Sequence, residues 1–94
     1  MTIAETIRAK LTAALQPAGL AIIDESARHA GHAGARPGGE THFRVEVVSA
    51  AFAGLGRVAR QRLVYQILAA ELAGQVHALS LATDTPEEAA KHRG

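Results

Sequence analysis

Between Glu40 and Thr83 the hydrophobic pattern changes its period twice, and that order of periods limits the folds open to the chain. From Thr41 to Val48 it alternates. Phe43, Val45 and Val47 fall on one side and His42, Arg44 and Glu46 on the other, as in a strand with one wet face. The next segment reads as a turn in which Phe52 and Leu55 plug the edge of the core. A helix is then expected from near Arg57 to about Ala73. Val64, Leu68 and Leu72, with Tyr65 beside them, form its apolar stripe, and Gly74 is its stop. Val76 to Thr83 reads as a second strand, carrying His77 at its start on the face of Leu79 and Leu81. A strand–helix–strand unit returns its second strand parallel to a neighbour, by a right-handed connection.

The first half supplies one more helix and strand. Thr2 and Glu5 have capping-box spacing, so hydroxyl and carboxylate would each satisfy a backbone donor of the first turn. Ile3, Ile7, Leu11 and Leu15 recur at steps of four, and Pro17 and Gly19 close that helix. Leu20 to Ser26, centred on Ile22 and Ile23, is expected to pair antiparallel with the strand after it. Residues 27–39 hold four glycines, a proline, His29 and His32, and read as a long flexible loop between the two strands. After the last strand, Thr85-Pro86-Glu87-Glu88 resembles a capped helical turn with proline at its first position, and the polar tail to Gly94 is expected to fray. The expected order is αββαβ with a short C-terminal helix. Both main helices cover one face of a three-stranded mixed sheet, in a single α+β domain over residues 1–94, ordered from about 2 to 90.

Composition narrows the function. With 94 residues, 48% of them hydrophobic, the chain can build one aliphatic core. A net charge of +1 excludes a strongly basic nucleic-acid clamp but leaves room for a local patch. No apolar run reaches membrane length, no signal-peptide pattern opens the chain, and there is no cysteine for a disulfide framework, so a soluble cytoplasmic protein is expected. There are five histidines. If the chain binds a metal cofactor, its own ligands are therefore imidazoles, and any thiolate must come from a partner.

His29, His32 and His77 are the candidate nitrogen donors. Two imidazoles make half of a four-ligand site, and in Rieske centres two histidines replace two cysteines on one iron. Solvated loop histidines and a strand-edge histidine are the plainer reading of the same residues. Arg57, Arg60 and Arg62 crowd the first turns of the second helix, where positive charge opposes the macrodipole by a few tenths to about 1 kcal/mol. Together with free backbone N–H groups they form a candidate anion or nucleic-acid contact, although screened surface arginines would look the same. Gly31 and Gly34 have the Gly-x-x-Gly spacing of KH modules but lie between strands, where no phosphate clamp forms. Aromatic residues, at 3%, are too few for a base-stacking platform. Asp24, Ser26 and His29 are only local neighbours, without a nucleophile elbow, and no Walker or dinucleotide motif is present, so no enzyme and no small-molecule substrate is expected.

In order along the chain, the runs Asp24 to His29, Glu40 to Ser49, Phe52 to Leu55, Arg60 to Tyr65 and Val76 to Thr83 resemble the BolA family over nearly the whole length. That resemblance implies a class II KH-like fold and a monothiol glutaredoxin as partner. It also implies a [2Fe–2S] cluster shared with the glutaredoxin and glutathione, and none in the isolated protein. The late histidine ligand of such pairs corresponds to His77. The loop ligand corresponds to His29 when aligned on Asp24-Glu25-Ser26, and to His32 when aligned on Gly31-His32-Ala33. The resemblance further implies DNA-binding transcriptional regulation of stress response and cell shape, for which the charge of Arg57, Arg60 and Arg62 suggests the second helix.

Overall fold

The computed structural model describes residues 2–25 and 42–93, the last two without their side chains. Helix α1, Ile3–Leu15, opens with the expected capping box: the Glu5 N–H donates to Thr2 Oγ1 at 3.1 Å, and the Thr2 N–H donates to Glu5 Oε2 at 2.8 Å. Ile7, Leu11 and Leu15 are buried, with Ile3 packed against them. The helix stops at Gln16, which takes a left-handed conformation and donates its N–H to the Thr12 carbonyl, just before Pro17 removes the next donor.

Strand β1, Gly19–Asp24, pairs antiparallel with β2, His42–Val48, and β2 pairs parallel with β3, Ala78–Asp84, giving the order β1-β2-β3. This is the expected mixed sheet, α+β in class. The alternation of β2 is realised as read: Phe43, Val45 and Val47 are buried, and their register partners Leu20, Ile22, Leu79 and Leu81 pack against the same core. Helices and the turn segment close that face with Ile7, Leu11, Phe52, Val64 and Leu68. Fully burying a side chain of this size contributes about 1.5–3 kcal/mol. The opposite face runs in cross-strand rows, Ile23–Arg44–Ser80 and Ala21–Glu46–Ala82, with Ile23, Glu46 and Ser80 exposed.

A short 3-10 turn, Ala50–Phe52, buries Phe52 completely. Ser49 sets this corner. Its hydroxyl donates to the Leu15 carbonyl at 2.7 Å, satisfying an end of α1, and accepts from the Ala51 N–H. Gly54 follows at φ 80, a conformation that side chains with a Cβ rarely adopt.

Two sequence expectations are corrected. The helix expected over Arg57 to Ala73 is two segments, α2, Arg57–Ile67, and α3, Ala69–Ala73, joined through buried Leu68. Tyr65, placed beside the apolar stripe in the sequence, is 40% exposed and lies outside the buried core. The short C-terminal helix expected after the last strand is present. Helix α4, Pro86–Arg93, begins with a second capping box, in which the Glu88 N–H donates to Thr85 Oγ1 at 3.2 Å and the Thr85 N–H donates to Glu88 Oε1 at 2.9 Å. Among the described residues no helix is long and apolar enough to cross a membrane.

Candidate functional site

The last strand begins at Ala78, so His77 precedes it instead of lying within it. Outside the pleat its side chain is exposed, while Leu79 and Leu81, which share its parity, turn toward the core. Its ring meets that of His42, the first residue of β2. The centroids are 6.4 Å apart and the planes are inclined by 70°, an edge-on arrangement. The parallel register explains the meeting, because His42 lies opposite Ala78, the residue next to His77. His42 belongs to the wet face in the sequence pattern, but only the pairing of two distant strands places it beside His77. His29 and His32 lie outside the described residues.

The donor set decides what such a corner could hold. The chain has no cysteine, and among the described residues no three His, Asp or Glu side chains converge as a metal site. Two imidazoles do not close a four-ligand centre. They do suit a centre whose remaining ligands come from another molecule, and an exposed rim position is where another molecule can reach.

The three arginines differ in what they touch. Arg60 is committed within the fold. Its Nε–H donates to the Leu55 carbonyl at 2.9 Å, Nη1 donates to the Thr83 carbonyl at 2.9 Å and to Glu88 Oε1 at 2.6 Å, and Nη2 donates to Glu88 Oε2 at 3.3 Å. Its carbon centre also sits 5.8 Å from the Phe52 ring centroid. Four of its five N–H groups are thereby used. The hydrogen bonds from Arg60 and from the Thr85 backbone hold the Glu88 carboxyl at about 2, well below its usual range, and the same pair raises the Arg60 guanidinium further. Arg60 thus ties α2, the outer edge of β3 and α4 together. Arg57 is exposed at the first position of α2, where Gly56 provides no side-chain cap. An open groove of about 810 Å³ runs between this helix start and β3, lined by Arg44, Arg57, Arg60, Ser80, Asp84 and Glu88 among others. Arg62 is exposed but is not part of its lining.

Residues 11–88 match the family model described as BolA-like protein. The chain is 48% identical over 87 residues to the protein BOLA1, chloroplastic, of Arabidopsis thaliana, covering 90% of this chain and 54% of that one. It thus spans about half the length of that relative. It is 48% identical over 86 residues to a protein of Vibrio cholerae named DNA-binding transcriptional regulator BolA, covering 92% and 77% of the two chains. The solved structure of BolA1 from Arabidopsis thaliana superimposes with a TM-score of 0.84 at 47% identity, over 94% of this chain and 96% of that one.

Proposed function

Because this chain belongs to the BolA-like family, we propose that it is a non-enzymatic cytosolic adaptor that binds a monothiol glutaredoxin and shares a [2Fe–2S] cluster with it, in iron–sulfur and redox regulation. The observation that supports this reading is the exposed imidazole of His77 in a chain that has no thiol of its own. His77 would give one nitrogen, His29 or His32 the other, and the glutaredoxin and glutathione the thiolates. When bound, such a cluster supplies one-electron redox chemistry, at a potential that histidine ligation raises relative to all-thiolate ligation. The chain's own task is to orient a neutral imidazole and leave it reachable. Arg60 and Glu88 fix β3 from its far end, so the residue entering that strand is presented from a braced element.

The test is to reconstitute iron and sulfide with this chain alone, with a monothiol glutaredoxin and glutathione alone, and with all of them together. The expected outcome is no cluster on the isolated chain, and a mixture whose visible absorption and dichroism differ from those of the glutaredoxin by itself. A cluster held by the isolated chain, or a mixture identical to the glutaredoxin, would contradict the reading.

A second reading takes its support from the name of the Vibrio relative and from Arg57, exposed at the uncapped start of α2. Here the chain is a DNA-binding regulator of stress response and cell shape, with Arg57 and Arg62 on phosphates. Binding to promoter DNA that survives moderate salt and is lost in Arg57→Ala/Arg62→Ala, in the same preparation that fails the cluster test, would favour it.

A further inference from the structure

The ring pair at the rim is closer to a chelate than the sequence alone suggests. A zinc ion sits about 2.0–2.1 Å from an imidazole nitrogen, which puts the ring centroid about 3 Å from the metal. Two imidazoles on one tetrahedral ion therefore have centroids about 5 Å apart, and about 6 Å at wider angles. His42 and His77 are at 6.4 Å, within about 1 Å of that range. The approach needed is small, and His77 has room for it, since it is exposed and enters the strand instead of being pleated into it. His42 is the more enclosed partner. It is half-buried at the first paired position of β2, and its carbonyl accepts from the Glu25 N–H at 2.8 Å. An exposed imidazole facing a half-buried one, at the entry of neighbouring strands, is a geometry that suits a divalent cation, and imidazole donors suit zinc, nickel and copper.

We propose that His42 and His77 form a two-imidazole clip for a divalent first-row transition ion, with water in the remaining positions. Binding of the ion stands apart from any glutaredoxin. One consequence does rest on the function proposed above: an ion in the clip occupies the nitrogen that His77 would lend to a shared cluster, so divalent metal and cluster partner compete for the same residue.

The experiment is a zinc titration of the full chain in a non-chelating buffer at neutral pH. It is followed by long-range proton–nitrogen spectra of the histidine rings, and affinity is measured by competition with a chromophoric chelator. The parent chain, His42→Ala, His42→Gln, His77→Ala and the loop variant His29→Ala/His32→Ala are compared. The rings of His42 and His77 should move together up to one equivalent. Each single variant should lose about tenfold or more in affinity, while the loop variant changes by less than about threefold. No ring shifts up to about 1 mM zinc would overturn the proposal. So would full affinity in both His42 variants, or loss of binding in the loop variant alone. Ring shifts in the parent remain decisive if a His42 variant fails to fold. Zinc binding without a shared cluster, or a cluster without zinc binding, separates failure of this proposal from failure of the adaptor reading.

Discussion

The two ends of β3 treat their polar side chains in opposite ways. At the C-terminal end, Arg60 donates to Leu55, Thr83 and Glu88, and Glu88 in turn accepts from Thr85, so each charged group is consumed inside the fold. At the N-terminal end, His77 is exposed, and its one ring contact among the described residues is His42. The first end joins three elements through its own side chains. The second costs the fold little and presents a nitrogen outward. Net charge therefore says little about where this protein binds, because its most prominent arginine is already in use.

The comparison predicts a graded series. Phe52→Ala should do most damage, because the ring is fully buried and also carries the Arg60 guanidinium. A loss of about 3–5 kcal/mol in urea unfolding is expected, and a loss under about 1 kcal/mol would mean the braced end is not a structural centre.

Acid should act next and act locally. The Glu88 carboxyl is lowered from 4.5 to about 2 by Arg60 and the Thr85 backbone. Because the folded value lies below the unfolded one, its contribution is complete above the ordinary value and is lost as pH falls through the lower one. Titrating the Glu88 carboxyl by NMR should give a midpoint near 2. Glu88→Gln should flatten the acid limb of the stability profile between those two values. A midpoint at the ordinary value would break the contrast.

Much of this was legible in the sequence, and the misses share a physical cause. Local patterns worked. The spacing of Thr2 and Glu5, the alternation of Phe43, Val45 and Val47, and the capped start at Thr85 each depend on residues a few positions apart. The structural role of Arg60 was not legible, because its acceptors are two backbone carbonyls and a carboxylate 28 residues away. Its cluster with Arg57 and Arg62 in sequence pointed to anions instead. His42 was hidden for a similar reason: only the parallel register brings it to His77. The break at Leu68 has no glycine or proline beside it to announce it in the sequence. His29 and His32 lie outside the described residues, so the loop ligand rests on the family resemblance alone.

The smallest expected effect on stability belongs to the residue with the largest expected effect on function. His77→Ala should unfold within about 0.5 kcal/mol of the parent, as an exposed side chain does. The most direct measurement is the visible dichroism of the reconstituted mixture of this variant, a monothiol glutaredoxin and glutathione, beside that of the parent mixture. The spectrum distinctive of the parent mixture should be lost or should decay much faster, while the variant keeps its fold. An unchanged spectrum with an unchanged lifetime would contradict His77 as the nitrogen that this protein lends to its partner.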